Sequence, residues 1–149
     1  MEYKNTQIGT TIIVIMALVI TTLHLTIGNS QFSQIWPIYL FLGLVTILFS
    51  SLTICIEQGY VTWFFGPRFW KKSIVLGEIE SAKAVRNKWY YGLGIRMLPE
   101  GWLYNVSGLD AVKIKVRNGE TIYLGTNQPQ ELIRAIEKKT AAKKQQDQT

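Results

Sequence analysis

The segment Val112–Leu124, VKIKVRNGETIYL, predicts a β-hairpin. Basic side chains alternate there with three apolar residues, Val112, Ile114 and Val116. This two-residue period is typical of a strand with one buried face. Asn118-Gly119 follows and predicts a type I′ turn, because that turn needs positive φ at both central residues. The apolar residues of 121–124 then predict a returning strand.

Five shorter segments before this hairpin are rich in aromatic and β-branched residues and predict further strands. They are 58–65, 72–76, 79–86, 95–98 and 102–106. After the hairpin, Asn127 as a cap and Pro129 in the first turn predict a helix with one apolar face. Residues 57–140 therefore predict one domain of seven strands and a closing helix. The polar residues 141–149 predict a disordered tail.

The first third of the chain is almost without charge, since Glu2, Lys4 and His24 are its only common acidic or basic residues within 1–56. Two uncharged apolar runs, 8–27 and 35–56, each have about the 20 residues that a helix needs to cross a bilayer. Backbone polar groups in lipid must be satisfied internally, so both runs predict transmembrane helices. The first run is longer than a signal-peptide core and no A-x-A site follows, so we expect it to be retained.

The distribution of basic residues predicts the orientation of this helical hairpin. The segment between the two runs has no Lys or Arg, whereas residues 57–149 carry the whole net charge of +6. The positive-inside rule then places both termini in the cytoplasm. The expected fold class is α+β: a two-helix transmembrane hairpin, then a seven-stranded β-barrel or sandwich with a C-terminal helix. We expect a multi-pass protein of the cytoplasmic (inner) membrane.

Four segments carry a resemblance to a known family. IES (79–81), YGLGIR (91–96), GWLYNVSG (101–108) and LGT (124–126) resemble small bacterial membrane proteins that have a pleckstrin-homology-like (PH-like) domain after one or two spans. The resemblance covers roughly residues 57–140. It implies the PH-like fold and the membrane topology. The role of that family is largely uncharacterised, and the resemblance carries no site residues to this chain.

The residue types of the C-terminal domain exclude several chemistries. Beyond residue 56 the sequence has neither His nor Cys, which excludes a zinc site of the Cys/His kind and a Ser-His-Asp or Cys-His mechanism. Gly92-Leu93-Gly94 is not a dinucleotide fingerprint, because no helix is predicted after it. The single cysteine, Cys55, is expected to be an apolar filler of the second span. We therefore expect no enzyme, no cofactor and no metal.

Two basic-aromatic clusters are candidates for a binding surface. The first, which follows the Gly66-Pro67 turn, consists of Arg68, Phe69, Trp70, Lys71 and Lys72. It predicts contact with anionic lipid headgroups, or only charge that sets the topology. The second consists of Lys88, Trp89 and Tyr90. Its aromatic side chains either touch the bilayer or a partner, or are buried inside the domain.

The sequence therefore favours a non-enzymatic, membrane-anchored binding or scaffold module at the cytoplasmic face. Its expected partners are anionic lipid headgroups, a membrane protein or a second copy of the chain. The alternative is an accessory or regulatory subunit of a transporter or secretion assembly. Nucleic acid is not expected, because the domain has no helix suited to a major groove.

Overall fold

The computed structural model describes residues 3–27 and 32–146. Within them the chain forms nine strands and three α-helices, so the fold class is α+β. The strands are β1 (Tyr3–Ile8), β2 (Ser51–Glu57), β3 (Tyr60–Phe65), β4 (Phe69–Val75), β5 (Ile79–Arg86), β6 (Gly94–Leu98), β7 (Gly101–Asn105), β8 (Asp110–Val116) and β9 (Thr121–Gly125). The helices are α1 (Thr10–Ile27), α2 (Phe32–Leu48) and α3 (Pro129–Gln146).

The strands form two sheets. The first has the order β1-β2-β3-β4 and is antiparallel throughout. The second has the order β5-β8-β9-β7-β6, in which β7 and β9 pair in parallel. The seven predicted strands correspond to β3–β9. The prediction of seven strands was wrong, because β1 and β2 add two strands to the first sheet.

The helical hairpin is inserted between two neighbouring strands of the first sheet. β1 precedes α1, β2 follows α2, and the two strands pair from Tyr3↔Ile56 to Ile8↔Ser51. The helices run antiparallel: their bases meet where the Gly9 amide donates to the Ser50 carbonyl oxygen, and further along His24 of α1 lies beside Tyr39 of α2, with ring centroids 6.4 Å apart. Both helices therefore leave the domain from the same end of one sheet.

This arrangement corrects both predicted spans. The first apolar run was predicted as helix from residue 8, but Ile8 is the last residue of β1. The second was predicted to continue to residue 56, but α2 ends at Leu48 and 51–57 forms β2. Leu52, Ile54 and Ile56 of β2 are buried in the core of the domain. A short apolar run has the same composition in a buried strand as in a helix, so its periodicity does not separate the two.

Only α1, among the described helices, is long and apolar enough to cross a membrane. Its 18 residues have a mean hydropathy of 2.2, and none is buried. In α2 the apolar segment Gln34–Leu48 is shorter. At a rise of about 1.5 Å per residue, α1 is roughly 27 Å long, close to the thickness of a hydrocarbon core. One candidate span is therefore established by length and composition, and the predicted second span is not.

The hydrophobic core lies between the two sheets and is closed by α3. Trp63 of the first sheet meets Tyr104 of the second, with ring centroids 5.3 Å apart. Leu132 and Ile136 of α3 are fully buried against this core. The predicted C-terminal helix is confirmed. It is longer than expected, because α3 extends through residues 141–146 of the predicted tail; residues 147–149 lie outside the described part of the chain.

The hairpin between β8 and β9 has a different turn from the predicted one. Gly119 has a φ of +90°, and its amide donates a 2.9 Å hydrogen bond to the Val116 carbonyl oxygen. Asn118 is not among the described residues with positive φ. Its side-chain oxygen instead accepts a 2.8 Å hydrogen bond from the Glu120 amide. The loop is therefore of the three-residue kind with a left-handed glycine at its end, and the type I′ prediction was wrong.

The two packed sheets have one end that bears α1 and α2 and an opposite end without them. At the helix-bearing end, where Ile8 pairs with Ser51, the Gln7 side-chain amide donates a 2.8 Å hydrogen bond to the Ser107 carbonyl oxygen and so joins the two sheets. At the opposite end, called here the far end, the Arg117 amide donates to the Glu78 carbonyl oxygen at 2.9 Å. Each strand runs from one end to the other, so the position of a residue along its strand shows which end it lies nearer.

Candidate functional site

The first basic-aromatic cluster begins directly beneath α2. The Gly66 amide donates a 2.9 Å hydrogen bond to the Ser51 carbonyl oxygen. A Cβ on Gly66 would lie 2.7 Å from the Ile47 carbonyl oxygen, and its φ is +44°. Only glycine allows the turn to approach the end of the helix so closely. The turn between β3 and β4 is thereby fixed against the base of the helical hairpin.

The side chains of this cluster are exposed. Phe69 and Trp70 are 36% and 50% exposed, and Arg68, Lys71 and Lys72 are also at the surface. The ring of Phe69 packs 6.1 Å from that of Phe49, just after α2. The cluster was predicted to lie on a turn, but from Phe69 onward it belongs to the edge strand β4.

The five members of this cluster do not all face the helices. Lys72 pairs in register with Trp63, near the middle of the sheet. Burial raises the pKa of Tyr104, and the ammonium group of Lys72 lowers it in part. Lys72 is therefore directed toward the second sheet, and Arg68, Phe69 and Trp70 are the members nearest to the helical hairpin.

The second cluster is also exposed, which decides between its two interpretations. Trp89 is 81% and Tyr90 56% exposed, so neither is buried inside the domain. The Trp89–Tyr91 segment forms one 3₁₀ turn in which the Trp89 and Tyr90 rings lie 5.9 Å apart. The Lys88 ammonium nitrogen lies 5.6 Å from the centroid of the Tyr90 ring, within cation–π range. A hydrogen bond with Tyr90 raises the pKa of Lys88.

Both clusters lie at the helix-bearing end. Trp89 lines a groove together with Thr11 and Ile12 of α1, and Phe69 touches Phe49 at the base of α2. The clusters belong to different sheets and are about 20 residues apart in the sequence. They lie near the same helices because of the way the strands pair, and this pairing cannot be read from the sequence.

Charge is divided between the two ends of the domain. Five carboxylates lie on strand ends and turns of the far end: Glu57, Glu78, Glu80, Glu100 and Glu120. Two of them pair with lysines of β8, Glu100 with Lys113 and Glu80 with Lys115. Among the described residues, no carboxylate lies within ion-pair distance of Arg68, Lys71 or Lys88. Asp110, which begins β8 opposite Arg86, also lies at the helix-bearing end, but the basic residues outnumber it there, so this end carries net positive charge.

A groove of about 750 Å³ separates the helical hairpin from the second sheet. Its walls come from α1, from the end of α2 and from the loop that leads into β6, and they include Arg96. Arg96 was not among the site residues predicted from the sequence. The groove is built from segments far apart in the chain, so the local alternation of charged and apolar residues does not predict it.

Cysteine and metal chemistry are limited in the described part of the chain. Cys55 is half-buried in β2 and does not lie in a membrane span as predicted. Burial raises the pKa of its thiol. Across residues 3–27 and 32–146, no three His, Cys, Asp or Glu side chains are grouped closely enough to hold a metal ion.

Comparison with protein-family models, curated proteins and solved structures gave no match to this chain. Its function is therefore inferred from its own geometry.

Proposed function

We propose that this protein is a membrane-anchored, non-enzymatic binding module whose domain docks its helix-bearing end onto anionic lipid headgroups at the cytoplasmic face. One observation carries the proposal. The apolar helices, the exposed aromatic side chains and basic residues without an ion-pair partner lie at the same end of the domain, and five glutamates on strand ends and turns lie at the other.

The helical hairpin supplies the anchor. α1 spans the bilayer, and α2 runs antiparallel beside it, which returns the chain to the same side. Cleavage after α1 would remove β1, which pairs with β2 over six residues, so we propose that α1 is retained. The positive residues around the helix bases favour a cytoplasmic domain.

The two clusters supply the docking contacts. Trp70 and Trp89 lie at headgroup depth, where amphipathic aromatic rings are favoured. Each basic residue close to an anionic leaflet contributes about 1 kcal/mol, and the contribution decreases over a Debye length. Arg68 and Lys71 together favour one docked orientation by roughly 2 kcal/mol. These contacts orient the domain, whereas the helices secure its attachment.

The family resemblance is part of this proposal. Two packed sheets and a C-terminal helix are the coarse features that support a PH-like domain. β1 and β2 are additional to the strands on which the resemblance rests.

Depth measurements on the full chain in nanodiscs test the proposal. A fragment beginning at Glu57 is unsuitable, because it lacks β1 and the core side chains of β2. In a Cys55→Ser background, nitroxide labels at Trp70→Cys and Trp89→Cys should report headgroup depth in phosphatidylglycerol nanodiscs. A label at Asn118→Cys, at the far end, should remain in water.

A charge-matched pair of variants makes this test specific. Replacing Arg68, Lys71 and Lys72 with Gln should move the label at position 89 away from the headgroups. Replacing Lys113, Lys115 and Arg117 with Gln should leave it in place. Equal accessibility of positions 70, 89 and 118 to an aqueous quencher would overturn the proposal and leave a protein partner as the better explanation.

A further inference from the structure

The groove between the helical hairpin and the second sheet has two chemically different walls. The helix wall is apolar and is formed chiefly by Ile12, Ile15 and Met16 of α1. The opposite wall holds Leu93 and the guanidinium-bearing side chain of Arg96. At about 750 Å³ the groove lies within the usual size range of small-molecule sites. An occupant that matches both walls has an apolar portion and an anionic portion.

The depth of the groove determines which amphipathic molecule can reach it. Its apolar wall occupies the first two turns of α1, so it lies within about 10 Å of the domain along the helix. If α1 spans the bilayer, this is the level at which headgroups meet acyl chains. This step rests on the membrane anchoring of the proposed function.

The local backbone presents Arg96 to the groove. The Arg96 Nε donates a hydrogen bond to the Leu93 carbonyl oxygen at 3.3 Å. A Cβ on Gly92 would lie 3.1 Å from that Nε, and Gly92 has a φ of +72°, so a glycine leaves the space that the guanidinium occupies. Within the described residues, no carboxylate is in ion-pair distance of Arg96. Most of its five N–H donors are left for a ligand.

We propose that the groove binds one anionic phospholipid. The lipid phosphate pairs with the Arg96 guanidinium, whose fork matches a phosphate better than a lysine would. One acyl chain lies along Ile15 and Met16 and continues into the surrounding bilayer. Trp89, which is exposed and lines the same groove, covers the glycerol region.

Native mass spectrometry of the full chain, released from detergent micelles, tests this site. Titration with phosphatidylglycerol should give a one-to-one adduct that is tighter than the adduct with phosphatidylcholine. Arg96→Gln should weaken phosphatidylglycerol binding by about ten-fold or more, since it removes a charge-assisted hydrogen bond. Arg86→Gln is the matched control, because Arg86 is exposed at the same end but does not line the groove.

A second pair of variants tests the apolar wall. Ile15→Trp should fill the groove and lower the affinity for both lipids, whereas Val14→Trp, at a neighbouring residue of similar exposure that does not line the groove, should not. If the wild type formed no one-to-one adduct, or if all four variants formed it equally well, the result would show that only annular lipid is bound. The measurement uses micelles without a bilayer surface, so its failure is distinguishable from failure of the docking proposal.

Discussion

The amide nitrogen of Gly9 donates a hydrogen bond to the carbonyl oxygen of Ser50 at 2.7 Å, which joins the start of α1 to the end of α2. Gly9 is the single residue between β1 and α1, and Ser50 directly precedes β2. This close backbone contact holds the bases of the two helices together where they join the sheet.

This contact predicts a position-specific sensitivity to a single methyl group. A Cβ on Gly9 would lie 2.7 Å from the Phe49 carbonyl oxygen, so Gly9→Ala should destabilise the protein by about 1–3 kcal/mol. Thermal unfolding in detergent measures the effect. Gly43→Ala in α2 is the matched control, because a Cβ there meets nothing within 4 Å. Equal melting temperatures of the two variants would contradict the geometry.

The topology of the hairpin is the second prediction. Ser30 belongs to the segment between α1 and α2, outside the described residues, and we expect it on the side of the membrane opposite the domain. A thiol at Ser30→Cys, in the Cys55→Ser background, should react with an impermeant maleimide added outside intact cells. A thiol at Asn118→Cys should react only after permeabilisation. Reaction of Ser30→Cys only after permeabilisation would mean that α1 and α2 do not both cross.

The turn between β8 and β9 gives the third prediction. Gly119 holds a φ of +90°, and a Cβ at this position would have no neighbour within 4 Å, so a substitution there is strained by the backbone conformation alone. Gly119→Val should cost about 1–2 kcal/mol, because a β-branched residue resists positive φ. Chemical denaturation measures it, with Arg117→Ala in the same loop as the control. An unchanged midpoint for Gly119→Val would show that the loop adopts another turn.

A pH-dependent contribution to stability follows from the far end of the domain. A hydrogen bond from Lys113 and another from Tyr123, whose hydroxyl lies 2.9 Å from Glu100, hold the pKa of the Glu100 carboxyl below its ordinary value of 4.5. A carboxyl with a lowered pKa stabilises the fold above its unfolded pKa and loses this effect as the pH falls through its folded pKa. Glu100→Gln should therefore lower the melting temperature at pH 7 and match the wild type in strong acid.

The control for this prediction is Glu80→Gln, because the Glu80–Lys115 ion pair is longer, at 3.5 Å, and both side chains are about half exposed. Its effect at pH 7 should be smaller, since this longer ion pair lacks the second donor that Tyr123 supplies to Glu100. If the difference in melting temperature between the wild type and Glu100→Gln stayed constant from pH 7 to pH 3, this result would argue against the pairing of Glu100.

Part of the fold follows from local sequence pattern and part does not. The alternation in 112–116 and the apolar face of 129–136 were interpreted correctly, because their periods are set within a few residues. β1 and β2 were missed because their pairing bridges the whole helical hairpin, and because β2 continues an apolar run without a charge. Ser50 and Ser51 mark the change from helix to strand, yet two serines also occur inside membrane helices.

The candidate site was predictable by composition but not by location. The basic-aromatic segments 68–72 and 88–90 were identified from residue types alone. Whether Trp89 is buried depends on tertiary packing, and the sequence left both possibilities open. Arg96 acquires its position through the positive φ of Gly92, and it lies across the groove from α1, which is about 80 residues earlier in the chain.

If the helices enter the membrane as proposed, their insertion between β1 and β2 makes membrane entry a folding step of the β-sheet domain. During synthesis β1 emerges first, and its partner strand emerges only after both helices have been made. Antiparallel pairing of α1 and α2 brings Gly9 next to Ser50 and so reduces the chain entropy lost when β1 finds β2. A ribosome-bound chain that fails to insert would leave β2 with an unpaired edge, which is a template for aggregation.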